Sequence, residues 1–264
     1  MGQKVEVSGT GYDLKGGKTL IGGTAYAIKK GRTLIGGTGY DISLLSGIPI
    51  SELPVENTVK IAVNGTLRDF LIVHQGLPSS LYDDSCNGTW LLMKDVYETR
   101  QWNSSDVNDY ANSTIHSYLN SYFLAMFDSN IQNAIKQVKI PYVNGTGGSA
   151  VASGANGLSA KIFLLSGYEV GWTTSYDEDF PVDGAKLDYF VAGWGGNSKR
   201  IAYLGGSAIY WWLRSPSNNF INYVWYVTIP GQNSTLNPSI NCGIRPVFIL
   251  PSDTLVSDDG TIIA

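Results

Sequence analysis

The sequence predicts an α+β protein, with a β-repeat at the N-terminus and then one domain of two helices against small antiparallel sheets. Three observations predict it. Glycine is abundant, with 31 of 264 residues, and aromatics reach 12%, which favours a loop-rich β or α+β protein over a helical bundle. Short apolar runs bounded by Gly, Asn and Pro recur along the chain. Residues 113–138 instead place apolar side chains at helical spacing.

The first 45 residues repeat internally. Ser8–Ile21 is followed by a second copy, Gly22–Ile35, and by a partial third beginning at Gly36, so that Tyr12, Tyr26 and Tyr40 mark a period of fourteen. Each unit alternates a short apolar strand with a Lys/Gly turn, expected at 15–18 and 29–32, which reads as stacked hairpins or a β-spiral. One copy cannot bury its own apolar face. Region 1–45 is therefore expected to associate with other chains, as an oligomerisation and attachment element. Residues 46–55 (Ser-Gly-Ile-Pro-Ile-Ser-Glu-Leu-Pro-Val) read as a hinge-like linker, and 56–264 as the globular domain.

Within that domain Thr58–Val63 and Arg68–His74 are expected to pair around Asn64-Gly65, a type I′ turn signal. Thr89–Lys94 is a further strand. Ser113 is a suitable N-cap for a helix whose stripe is Ile115, Tyr118, Leu119, Tyr122, Phe123 and Met126. Asp128 or Ser129 caps a second helix with Ile131, Ile135 and Val138 inward. Strands are expected at Val138–Tyr142 and Lys161–Leu165, separated by a Gly/Ser/Ala loop at 143–157. Tyr176–Phe180 is an acidic turn, and Gly193–Asn197 sets an aromatic in a Gly-rich loop.

Tyr210–Pro216 and Gly243–Leu250 are dense in apolar and aromatic residues and read as buried strands. Between them, residues 217–242 hold six Asn, two Tyr and one Trp but no charged residue. Tyr, Trp, Ser and Asn are what binding paratopes use, because the aromatics give rigid contact area and the small polar groups adaptable hydrogen bonds. A rigid frame holding a polar and aromatic display is the reading; a plain solvated loop rarely carries three large aromatics.

Several function classes find no footprint. Net charge is −4 with no basic run, so nucleic-acid binding has no electrostatic basis. No run approaches the ~18 apolar residues of a membrane span, and Met1–Val7 lacks the apolar core of a secretory signal, so synthesis and folding in a cytoplasm are expected. The six N-x-S/T sequons are accordingly not read as glycosylated. Zinc spacing, a phosphate loop and a Gly-x-Ser-x-Gly elbow are absent from the sequence. No cofactor, metal site or catalytic residue is expected. Asp177, Glu178 and Asp179 are the acidic cluster that an alternative, enzymatic reading would use. Cys86 and Cys242 are too few for a disulfide scaffold, and whether they pair is left open.

Tyr110–Asn120, Lys161–Ser166 and Tyr210–Pro216 with Gly243–Pro246 together resemble a bacterial and phage domain family of C-type-lectin-like fold, akin to formylglycine-generating-enzyme-like domains. The resemblance covers roughly residues 56–250, and its last pair of motifs is the most specific. Members include variable proteins of diversity-generating retroelements, among them phage tropism determinants, in which a C-terminal segment is rewritten to change ligand specificity. The repeats with Gly-Gly-Thr-Gly-Tyr-Asp look like those ahead of such domains in phage structural proteins.

The resemblance implies a homotrimeric tail protein of the virion, assembled in the bacterial cytoplasm and acting outside the cell. It would hold other virion proteins through its repeats and a host cell-surface protein or glycan through residues 217–242. Asn218, Asn219, Asn222, Tyr223, Trp225, Tyr226, Asn233, Thr235, Asn237 and Asn241 are the candidate ligand-binding residues; Trp211, Trp212, Arg214 and Arg245 are frame. The sequence lacks the Glu-Pro-Asn or Gln-Pro-Asp triplet of sugar-binding animal lectins, so calcium-dependent sugar binding is not carried over. Two competing readings remain: a structural tail or baseplate protein, and a surface-glycan-acting enzyme.

Overall fold

A computed structural model describes residues 47–145, 150–175 and 180–264 in full and, before them, the backbone of six strands between residues 3 and 43. Few helices and several small antiparallel sheets make the fold α+β.

The six N-terminal strands form three separate hairpins, Gln3–Val7 with Thr10–Leu14, Lys18–Ile21 with Thr24–Ala27, and Lys30–Ile35 with Thr38–Ser43. The fourteen-residue period is visible in their register: Tyr12, Tyr26 and Tyr40 each pair with the residue seven positions earlier, Val5, Thr19 and Thr33. The turn expected at 29–32 is displaced. Lys30, Gly31 and Arg32 lie in a strand opposite Ser43, Ile42 and Asp41. Residues 15–17 lie outside the described residues.

The stretch read as a hinge docks on the domain. Ile48–Pro49 pairs with Leu255–Val256, and Ile50 is fully buried with its N–H on the Thr254 carbonyl. An isoleucine with a covered side chain ties the segment down, whatever the flanking prolines permit.

Two sheets organise the domain. The first contains β1 (Thr58–Val63), β2 (Thr66–Gly76), β3 (Gly88–Met93) and a last strand, Val247–Leu250, in the antiparallel order Val247–Leu250, β3, β2, β1. Asn64 and Gly65 have φ of 50° and 71°, the positive pair that a type I′ turn requires. The second sheet contains β4 (Thr99–Gln101), β5 (Trp211–Pro216), β6 (Val224–Val227), β7 (Asn233–Leu236) and β8 (Asn241–Gly243), in the order β4-β8-β5-β6-β7. Val247–Leu250 is called β9.

The first helical run begins where expected. Ser113 Oγ accepts the His116 N–H at 3.2 Å, and α1 (Thr114–Tyr118) continues through a π turn (Leu119–Phe123) and a 3₁₀ turn (Leu124–Met126). The wide turn changes the stripe. Ile115, Leu119, Phe123 and Phe127 are buried at a spacing of four, while Tyr122 is 74% exposed and Met126 only half-buried. An i→i+5 turn rotates the next residues less per step than an α turn, so every fourth residue returns to the core face. Phe127 packs edge-on to Phe248 of β9 at 5.4 Å, and Phe248 meets Phe70 of β2 at 5.2 Å. The helix thereby closes one face of the first sheet. The second helix, α2 (Ser129–Ala134), buries Ile131 and precedes the buried Ile135 and Val138, as the spacing predicts.

Lys161–Leu165 is not a strand. Ile162 to Leu165 are buried, but the only bridge is Phe163 with Val247. Side chains satisfy much of the remaining backbone: Asn120 bonds the N–H groups of Lys161 and Ile162 and the Ile162 carbonyl, and the Tyr110 hydroxyl accepts from Leu164. The segment threads the core held by side-chain amide and hydroxyl groups instead of a ladder. Within the loop expected at 143–157, Tyr142–Val143 pairs with Val151–Ala152 and Gly154–Asn156 forms a 3₁₀ turn; residues 146–149 lie outside the described residues.

Candidate functional site

The frame behind the Asn-rich segment is built on Arg214 of β5. Trp-Trp-Leu-Arg-Ser-Pro is buried along its whole length, so the guanidinium enters the protein and must find all its partners there. Nη1 and Nη2 reach the two carboxylate oxygens of fully buried Glu169 at 2.5 and 2.7 Å. The same group donates to the carbonyls of Pro141, Leu164 and Asp183 at 3.1, 3.0 and 2.7 Å. Glu169 also accepts from the Tyr82 hydroxyl at 2.8 Å and the Ser166 N–H at 2.9 Å. Ser215 Oγ donates to Asp183 Oδ2 at 2.8 Å and accepts from Gly167 N–H at 2.8 Å.

Charge follows from these contacts. Burial works against the Arg214 cation, but Glu169 and then Asp183 outweigh it, so its pKa is raised. Burial pushes the Asp183 carboxyl up to about 6, against the opposing pull of Arg214. Burial, with Glu169 adding to it, lifts the Tyr82 hydroxyl well above its ordinary value. One buried bidentate pair, with the two carbonyls beside it, thus ties Leu164, Glu169 and Asp183 to the middle of the second sheet.

The second motif closes the frame from the other side. Arg245 lies 4.6 Å from the Trp211 ring centre and donates to the carbonyls of Met93 and Lys94 at 3.2 and 2.8 Å, joining the end of the Gly-Ile-Arg-Pro motif to β3. Trp211 Nε1 donates to the Arg200 carbonyl and Trp212 Nε1 to the Arg100 carbonyl, at 2.8 and 2.9 Å. Gly243 sits where a side chain would meet the Tyr210 carbonyl at 2.7 Å. The four residues read as frame, Trp211, Trp212, Arg214 and Arg245, are all buried.

The candidate residues do not share one surface. Alternation along paired strands puts Trp212, Tyr226 and Ser234 on one face of the sheet and Trp211, Val227 and Asn233 on the other. Trp225 and its partner Thr235 belong to the second face. Trp225 is 4% exposed and stacks on Phe180 at 3.9 Å, so it is core and offers no ring to a ligand. Tyr226 is half-buried, edge-on to Tyr210 at 5.9 Å and to Trp212 at 6.3 Å. Asn237 Oδ1 accepts from the Ser239 N–H and Oγ at 2.9 and 2.6 Å, closing a turn. Tyr223 is half-buried against Phe220 at 5.6 Å, and its carbonyl accepts from Ser217 N–H and buried Asn108. Asn219 and Asn241 are exposed; Asn218, Asn222, Asn233 and Thr235 are half-buried.

Residues other than the candidates add to the exposed surface. Half-buried Tyr210 belongs to it through Tyr226. Arg100 on β4, opposite Cys242, lies 3.6 Å over the Tyr118 ring and 3.0 Å from Glu98. No local pattern marks Arg100, because a long-range strand pairing sets its place. Phe220 and Ile221 are 53% and 64% exposed, and Asn108, beside 45%-exposed Val107, holds the Phe220 carbonyl.

Other candidate chemistry is limited. Cys86 and Cys242 are both buried free thiols. His74 Nδ1 is 2.7 Å from Asp188 Oδ2. His116 has its pKa lowered by burial, and its ring lies 5.2 Å from Tyr110. Asp177, Glu178 and Asp179 lie outside the described residues. No group of three His, Cys, Asp or Glu among the described residues is arranged to hold a metal, and no described helix is long and apolar enough to cross a membrane.

Residues 87–252 match a family model described as a domain of unknown function, DUF6273, and that range contains both arginine motifs. No curated protein and no solved structure matches the chain.

Proposed function

The chain belongs to the DUF6273 family, and we propose that it is a binding module: a C-type-lectin-like receptor-binding protein of a phage tail, without catalytic activity or cofactor. The observation that carries this reading is the pairing of a wholly buried charge frame with a 217–242 segment that carries no charged side chain. Arg214 and Glu169 lie at 0% side-chain exposure behind strands whose outward positions include Tyr226 and Ser234. Fixed backbones with Tyr, Ser and Asn side chains on them are the economy of a paratope. The ligand is a host cell-surface protein or glycan. The N-terminal hairpins attach the chain to other virion proteins and to two further copies, and three linked sites would strengthen weak single contacts.

Labelled protein is titrated onto a panel of bacterial cells, comparing the native chain with a Tyr226→Ala, Ser234→Ala double variant. Trp225 stays untouched because it is core and its loss would destabilise the domain. Saturable binding lost in the folded variant supports the reading. Equal binding by both overturns the assignment to this face.

A structural tail or baseplate role is the second reading, favoured by the exposed apolar corner of Val107, Phe220 and Ile221, which suits burial against another virion protein. It predicts no cell binding by the isolated chain, and incorporation into particles that fails with Phe220→Ser, Ile221→Ser.

A further inference from the structure

Trp194 is 52% exposed, and the protein spends buried structure on holding it there. Gly193 adopts φ 63°, a conformation that favours glycine, and at Gly196 a side chain would meet the Val191 carbonyl at 2.1 Å. Arg200, fully buried, donates to the carbonyls of Val191 at 3.1 Å, Gly193, and Gly231 at 3.2 Å. One guanidinium therefore clamps the Trp194 loop to the turn at 228–231. The same group lies 4.1 Å over buried Trp172, which meets the Trp194 ring edge-on at 4.8 Å. Carbonyls and a ring face, and no carboxylate among the described residues, hold this cation.

Around the clamp, Val191 and Ile229 are 48% and 49% exposed, and Ser198 and Gln232 are exposed and uncharged. The exposed half of a Trp ring is on the order of 100 Å², and the three apolar side chains together offer roughly 250 Å². A stable protein partner needs about 800 Å² on each side. A pyranose ring matches both the size and the chemistry: its C–H face is flat and apolar, and its hydroxyls suit the Gln232 amide and the Ser198 hydroxyl. We propose that Trp194 is the platform of a carbohydrate subsite that stacks one ring of a neutral saccharide, distinct from the Tyr226 face and independent of what that face binds.

The test is titration calorimetry of the full chain with cellotetraose, maltotetraose, mannotetraose and the N-acetylglucosamine tetramer. At least one should bind saturably. Trp194→Ala should weaken it by about tenfold or more, Trp194→Phe should hold within about threefold, and Tyr226→Ala should leave it unchanged. Because the ring is half in solvent, Trp194→Phe keeps the loop packed and serves as the folded control. Failure of all four saccharides to bind the native chain overturns the proposal, as does undiminished binding by Trp194→Ala. A Trp194→Ala chain with smaller solution mass would assign the indole to a second copy and overturn it too.

Discussion

Replacing Glu169 by Gln tests whether the buried pair sets the stability of the domain. The carboxylate accepts four hydrogen bonds, two from Arg214 and one each from Tyr82 and Ser166. A glutamine supplies one acceptor oxygen and turns an N–H₂ toward donors, so about half of these bonds are lost and Arg214 keeps a buried charge without its counter-ion. Breaking a buried ion pair by removing one partner costs about 3–5 kcal/mol. Arg214 retains the carbonyls of Pro141, Leu164 and Asp183, which places the expectation near the lower end, about 3 kcal/mol. For a chain of this length that is a fall in Tm of roughly 6–12 °C. Urea unfolding followed by Trp fluorescence reads the loss directly, since Trp90, Trp102, Trp172, Trp211 and Trp212 are all fully buried. A loss under about 1 kcal/mol, the range of solvent-exposed pairs, would refute the reasoning and mean that water reaches the pair.

The remaining predictions test other parts of the structure. Asp183 is held at about 6, above its ordinary 3.8, because burial favours the neutral acid. Its contribution to stability is therefore complete below pH ~4 and lost as the pH rises through ~6, a change of about 3 kcal/mol. Asp183→Asn should become more stable relative to the native chain over that window in urea midpoints, and parallel curves would disprove it. Trp225→Ala should cost about 3–5 kcal/mol through the cavity left against Phe180, whereas Tyr226→Ala, half-buried, should cost under about 2 kcal/mol and reduce ligand binding; melting curves that rank the two the other way would reverse their assigned places. Gly231→Ala meets both a φ of 82° and the Asn197 carbonyl 2.0 Å from the new Cβ, so a loss of at least about 2 kcal/mol is expected, checked by thermal melting.

Local patterns made much of the fold legible. The Asn64-Gly65 hairpin, the Ser113 cap and the inward Ile131 and Ile135 follow from turn chemistry and helical spacing over a few residues. What escaped is long-range. The π turn that sends Tyr122 outward leaves no mark in periodicity, because an α stripe and a π stripe share Ile115, Leu119 and Phe123. Lys161–Leu165 has the composition of a strand, but Asn120 and Tyr110 reach in from forty and more residues away and take its backbone bonds. Glu169 and Asp183 sit among glycines with nothing local to announce a buried ion pair; Arg214, a charge inside an apolar run, was the one sign that a partner had to exist. At the candidate site the Asn/Tyr-rich composition marked the segment but not its faces. Strand alternation turned Trp225 inward toward Phe180, a residue that the sequence places in another loop.

The placement of the charges bears on why the 217–242 segment tolerates so polar a sequence. A strand usually earns its position through apolar side chains facing the core, and β7 has none fully buried. Its register is instead inherited from β6, where Val224, Trp225 and Val227 are buried, and β6 in turn pairs with β5, which Arg214 fixes. Stability flows outward from a central strand, so the outer positions are released from packing duty one strand at a time. Substitutions at Tyr226 or Ser234 should then change what the surface contacts more than whether the domain folds, while substitutions at Arg214, Glu169 or Trp225 should do the reverse. A set of variants in which binding and stability fell together at both groups of positions would show that the frame and the surface are one unit.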